Sequence, residues 1–259
     1  MLPSLPVKSA NTKQNSKGSS IRSMVRDSGL PERASATRAQ VRRLRELLPV
    51  LYDTESCRDL DLDLPAYKIY RDCCGEDARE ILRKYGLRYD VTVMPPLLLG
   101  EEYVKTLGHH HSSCGDVGSH PEVFEVLEGE ARFLTQQERA GEVVDVSLTV
   151  AGKGEKVLIS PDCGHVMINA SHGTLVTGNM ISQTCIQVYD RYLVKRGGAF
   201  YILTGGRLVR NPRYSRLPAV RVLRVETRSF LDDDSGLVHG FLKDPDRFAF
   251  LNELRRTMP

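Results

Sequence analysis

Hydrophobic and polar positions alternate along most of this chain with the two-residue period of half-buried strands. Pro65-Ala-Tyr67-Lys-Ile69-Tyr70 alternates as a short strand, and residues 89–94 alternate again until Pro95-Pro96 breaks the run. From residue 103 onward the pattern predicts strands over 103–111, 122–134, 143–150, 155–160, 166–169 and 174–187, and a further one over 219–225. Helical spacing is confined to short stretches. Val41, Leu44, Leu47 and Leu48 recur on one face of 37–48 with Arg42, Arg43 and Arg45 on the others, 77–84 reads as a second helix, and 246–256 as a closing one. Residues 53–63 and 232–234 are acidic turns. Many short strands with glycine turns predict a mainly β fold, a jelly-roll-like sandwich or barrel with short N-terminal helices and a C-terminal strand and helix appendage. There is no internal repeat.

Composition refines the boundaries. At 259 residues with 41% apolar content the chain is long enough for one sizeable core plus extensions. The net charge of +3 hides an asymmetry: residues 1–45 carry ten Lys/Arg against two acidic groups, so the rest is mildly acidic. Residues 1–36, rich in Ser, Lys, Arg, Asn, Pro and Gly, read as a disordered basic tail. Two other readings of that tail are an organelle transit segment, since residues 1–26 lack acids, and a start of translation at Met24. The division expected is therefore a tail over 1–36, a domain over 37–215 and an appendage over 216–259. The tail has no aromatic to interleave with its cations, which argues against a nucleic-acid module. Six cysteines without C-x-x-C spacing argue against a disulfide framework, no apolar run is long enough to span a bilayer, and a cytoplasmic protein is the expectation.

The chemistry concentrates between Gly108 and Asn169. In a strand His109 and His111 point one way and His110 the other, so the outer pair forms a two-pronged ligand. Glu122 opens an apolar run that ends at Gly129 and brings a carboxylate alongside, and His165 enters another strand after Pro161 and Gly164. Three imidazoles and one carboxylate suit a single divalent transition metal, with Fe, Mn, Ni, Co and Zn all acceptable. Cys163, two residues before His165, is a candidate soft ligand but more readily a small buried residue. Lys105, alternating away from Thr106, is expected as a solvated charge.

Taken together, His109-x-His111, Glu122 with Gly129, and Gly164-His165 with Asn169 resemble the two-part signature of the cupin superfamily. Asp90-Val-Thr92-Val-Met-Pro-Pro, the run from Gly100 through Thr106 to His111, Tyr189-Asp-Arg-Tyr and Asn211-Pro212-Arg213-Tyr214 extend the likeness to the cupin-type glucose-6-phosphate isomerases, over about residues 37–215. The resemblance implies a cupin barrel, a metal held by His109, His111, Glu122 and His165, and a sugar phosphate lying against Tyr67, Thr92, Thr106 and the backbone of Gly108, with Tyr189 near the sugar. It also implies a homodimer, while the composition leads us to expect neither nucleic acid nor a membrane as partner. Hydroxyls and a glycine N–H are independently suited to surround a phosphate closely. Aldose–ketose isomerisation then runs either through a cis-enediol, with Glu122 as the base, or by direct hydride shift.

The chain departs from that pattern in three places. Phe124 stands where the family commonly has Tyr, Gln187 where a His is expected, and ten residues separate His111 from Glu122, about twice the usual number. The cage residues are intact while the substrate shell differs. Two other functions fit the same cage: another cupin enzyme such as an iron oxygenase, and a non-catalytic sugar-phosphate-binding protein.

Overall fold

The computed structural model describes residues 39–113, 118–225 and 236–252. The predicted tail, the acidic turn at 232–234 and the end of the closing helix lie outside them. The fold is mainly β. A six-stranded antiparallel sheet runs in the order Gln40–Arg43, Pro65–Tyr70, Leu87–Met94, Leu175–Ser182, Glu122–Glu128, Lys156–Ile159. Facing it, a four-stranded sheet runs Cys163–Ile168, Glu130–Arg139, Glu142–Gly152, Arg221–Arg224, the last pair parallel. The two form a jelly-roll-like sandwich that does not close hydrogen bond by hydrogen bond into a barrel.

Alternation sets the layers. Phe124 and Val126 from one sheet meet Ala131, Phe133 and Met167 from the other, with the Phe124 and Phe133 rings 5.0 Å apart. The intervening residues face outward. Val91, Val93, Val123, Val176 and Met180 point to the far side of the six-stranded sheet, where the helix Leu237–Lys243 and the 3-10 turn Pro245–Leu251 cover them with Leu237, Phe241, Phe248, Phe250 and Leu251. The outer face of the four-stranded sheet, with Leu134, Val146, Leu148 and Val166, is covered by Tyr192, Ala199, Ile202 and Tyr214. The segment expected as an appendage thus seals one of the molecule's cores. Every residue of Leu175–Ser182 is buried as a result.

Four expectations are corrected. The helix over 37–48 is instead a strand, Gln40–Arg43, followed by one helical turn, Leu44–Leu47, and a 3-10 turn, Leu48–Val50. Val41 and Arg42 are taken into the ladder with Lys68 and Tyr67, and Pro49, lacking an N–H, ends the helix after a single turn. The strand over 103–111 survives only as Glu102–Tyr103 and His110–His111, with an isolated bridge from Lys105 to Ile168. Across that irregular stretch alternation does not place Lys105 in solvent. It is buried, with Nζ donating to Glu102 Oε1 at 2.5 Å and to the Val50 carbonyl at 2.7 Å, and lies 4.9 Å from the Tyr201 ring centre. The closing helix expected over 246–256 is, among the described residues, a 3-10 turn, Pro245–Leu251, and the α-helix lies before it at Leu237–Lys243, ending at Asp244 where Pro245 starts the new turn.

Candidate metal centre

Four side chains converge from three strands on the inner side of the sandwich. His109 and His165 face each other across an antiparallel bridge, with N–H to carbonyl distances of 3.2 and 3.0 Å in the two directions. His111 pairs with Gln187 one step along, and Glu122 begins the strand that flanks Leu175–Ser182. The ligand atoms of His109, His111, Glu122 and His165 all lie within 4.8 Å of one another, and all four residues are buried. His111 Nε2 and His165 Nε2 stand 3.3 and 3.4 Å from Glu122 Oε2. Two atoms each about 2.1 Å from one ion lie about 3 to 4 Å apart, so these separations match a shared cation.

Nε2 of all three histidines and Oε2 of Glu122 are buried without a hydrogen-bond partner. An unpaired buried polar atom costs about 1–3 kcal/mol, and native proteins carry few of them. Four such atoms aimed at one point fit a divalent transition metal, which would satisfy all of them together. The atoms behind two of them, on His111 and Glu122, are held. His111 Nδ1–H donates to the His120 carbonyl at 2.7 Å, which fixes its tautomer and turns the Nε2 lone pair inward. Asn179 Nδ2 donates to Glu122 Oε1 at 2.7 Å and leaves Oε2 for the cage. Burial favours a neutral Glu122, yet His111 and His165 together outweigh it and hold the carboxyl well below its ordinary range. Burial pushes His109 and His165 down, toward the neutral imidazole a metal needs. At His111 burial is outweighed by the nearby Cys185 and Glu122, which push it up to about 10.

A cavity borders the cage. His109, Glu122 and His165 form part of its wall, and Tyr67, Thr92, Thr106 and Tyr189 stand around them. Thr106 Oγ1 accepts the Met167 N–H at 3.0 Å, and the Tyr67 hydroxyl accepts the Leu107 N–H at 3.4 Å. Tyr189 donates to Gln187 Oε1 at 2.6 Å, and its ring centre lies 5.7 Å from that of His109 and 5.4 Å from the Arg42 guanidinium carbon. Ile69, Leu107, Phe124 and Met167 make the apolar part of the wall. Gly108 is not on it. A φ of +79° suits glycine there, and a Cβ would fall 2.5 Å from the Tyr192 ring, so its visible role is to turn the chain into His109 beside that ring. His110 points to the opposite side, near Glu138 and Tyr192, and Cys163 stands outside the four-residue cluster.

The cavity and its surroundings also hold residues that spacing did not single out. Asn179 is one. Its signal lies in the strand Leu175–Ser182, where Thr177 and Asn179 sit two apart among apolar neighbours and mark a polar inner face. Arg71 is another, lining the cavity with its guanidinium on the buried Asp90 and reaching Gln187 Oε1 at 3.4 Å. It follows Tyr67 and Ile69 at period two, just past the strand end.

Residues 41–219 match the family model described as Glucose-6-phosphate isomerase (GPI). No curated protein sequence matches at a significant level. Similar solved structures include an oxalate oxidase at 13% identity, the match covering 48% of this chain and 55% of that one with a TM-score of 0.35. A vicilin from hazelnut, Corylus avellana, is similar at 11% identity over 47% of this chain and 31% of its own, TM-score 0.35. An oxalate decarboxylase from Bacillus subtilis follows at 13% identity over 47% and 28%, TM-score 0.33. The matched part spans about half the length of the oxalate oxidase chain.

Proposed function

This chain belongs to the glucose-6-phosphate isomerase (GPI) family, and from that premise we propose that it is a metal-dependent isomerase interconverting glucose-6-phosphate and fructose-6-phosphate. The observation that carries the reading is the set of four unpartnered ligand atoms, three of their residues in the wall of a cavity ringed by hydroxyls. His109, His111, Glu122 and His165 would hold one divalent cation, which would supply Lewis-acid polarisation of the sugar's oxygens.

The protein's own groups divide the remaining work. Thr106 Oγ1 and the Tyr67 hydroxyl each already accept a backbone N–H, so their own O–H protons are free to turn to a phosphate oxygen. Thr92, buried on the same inner face, offers a third hydroxyl. Glu122 faces the cavity with one oxygen fixed by Asn179, which positions its carboxylate for proton transfer. In the enediol route Glu122 swings its Oε2 out of the cage, takes the proton from C2 of the aldose and returns it to C1. The O2 hydroxyl proton passes to O1, and the step is redox-neutral. Phe124 and Met167 keep water from the far wall.

The test is a coupled assay from fructose-6-phosphate to glucose-6-phosphate with chelated protein, before and after restoring Fe(II), Mn(II), Ni(II), Co(II) or Zn(II). Turnover restored by metal and lost in His165→Ala is the expected result. Stoichiometric metal binding without turnover of either sugar phosphate would sink the isomerase assignment. Aldose deuterated at C2 separates the routes, since loss of label to water marks proton transfer and full retention marks hydride shift.

A further inference from the structure

We infer that His120 is a positioning residue for the metal centre, through which the C-terminal segment 236–252 controls how tightly the cage binds its ion. The inference rests on the cage holding a metal; it does not depend on which reaction follows. His120 lies near the end of the long connection between His111 and Glu122, and it is buried. Its carbonyl and both ring nitrogens are committed, and these three groups point in different directions. Its carbonyl accepts the His111 Nδ1–H at 2.7 Å. Its ring Nδ1 stands 3.2 Å from the Leu251 carbonyl, and its Nε2 stands 3.2 Å from Thr184 Oγ1. A carbonyl can only accept, so Nδ1 carries the proton and Nε2 takes the hydroxyl hydrogen of Thr184. One residue therefore grips a ligand on one side and the C-terminal segment on the other.

That segment is firmly placed. Leu251 is fully buried, and Phe248 and Phe250 pack beside it against the outer face of the six-stranded sheet. Glu125 Oε2 accepts the Leu237 N–H at 2.8 Å at its start, and Ser182 Oγ donates to Asn252 Oδ1 at 2.8 Å at its end. The other side of His120 is held as well. Ser119 N–H donates to Asp162 Oδ1 at 3.0 Å, the Asp162 N–H donates to Ser119 Oγ at 2.8 Å, and Pro121 follows. The His120 peptide is thus clamped between Asp162 and Leu251, and its carbonyl direction sets the tilt of the His111 ring. A residue that merely filled space would leave these three groups to unrelated partners. Here they form a continuous path from the C-terminal segment to a ligand.

Such coupling is reciprocal: if docking of 236–252 improves metal binding, metal binding must tighten docking by the same factor. The experiment uses the full chain with Co(II) as probe. Affinity is read by chelator competition, ligand geometry by the visible d–d spectrum, and docking by hydrogen exchange of residues 237–252 with and without the ion. His120→Ala is expected to lower Co(II) affinity about 10–100-fold, alter the spectrum, and abolish the metal-induced protection of 237–252. His120→Asn, whose amide can still donate to Leu251, is expected to recover most of the affinity. A folded His120→Ala protein that binds Co(II) within twofold of the parent with the same spectrum overturns the inference. Should His120→Ala not fold, Thr184→Val serves in its place, and unchanged affinity and spectrum there overturn it equally. Parent protein that binds no Co(II) would instead remove the metal reading beneath it.

Discussion

Glu102 and Glu122 are both buried carboxylates beside buried cationic or imidazole partners, and their surroundings differ completely. Glu102 Oε1 accepts from Lys105 Nζ and Oε2 from the Tyr52 N–H, while Lys105 also reaches the Val50 carbonyl. Every charge there has a protein partner. At Glu122 only Oε1 is used, and Oε2 faces three imidazole nitrogens that are equally unpaired. A buried charge that is fully partnered holds structure, whereas a set of unpaired ligand atoms aimed at one point leaves a place for something else. The contrast separates two roles that burial alone would confuse.

The sharpest way to break the comparison is to remove one member of each region. His165→Ala is expected to lower metal affinity and kcat/KM by more than the roughly 100-fold typical of supporting residues, with little loss of thermal stability in the metal-free protein. Lys105→Met should do the reverse. Stranding Glu102 in the interior is expected to cost about 3–5 kcal/mol in urea unfolding, with metal affinity of the folded protein unchanged, and Glu102→Leu added to it should restore much of that stability. Chelation tests the same contrast without mutation. Removing an ion present at 100 times its Kd should lower unfolding free energy by about 2.7 kcal/mol, seen as a fall in Tm, and the loss should vanish in His165→Ala. Asn179→Ala should give the smallest effect, a drop in metal affinity of about 10-fold or somewhat more with only a minor change in Tm. Equal losses of stability in Lys105→Met and His165→Ala would erase the distinction.

Much of this was legible in the residues because strand alternation is a local property. It put His109 and His111 on one face and His110 on the other, and bounded Pro65–Tyr70 correctly. Where the backbone leaves regular geometry, alternation stops informing: Lys105 sits in such a stretch, and its partner Glu102 is set by a turn rather than a pleat. The strand at Gln40–Arg43 was hidden for another reason. A strand running straight into a single helical turn spaces Val41, Leu44 and Leu47 as a helix would. His120 and Leu251 lie 131 positions apart, and no local pattern reports a contact of that range.

The central strand Leu175–Ser182 is buried on both faces, with Thr177 and Asn179 turned to the cavity side and Val176 and Met180 turned to the core sealed by the C-terminal segment. Its pairing offset is pinned by an irregularity between Val176 and Thr177 against the Glu122 strand. A slip of a single residue would exchange the two faces, setting Met180 against the carboxylate and Asn179 among phenylalanines. Misassembly of this strand would therefore leave no inert copy with a damaged site. It would abolish the cavity face and the dry core in one event, so correct pairing of this strand and an intact candidate metal centre are secured together.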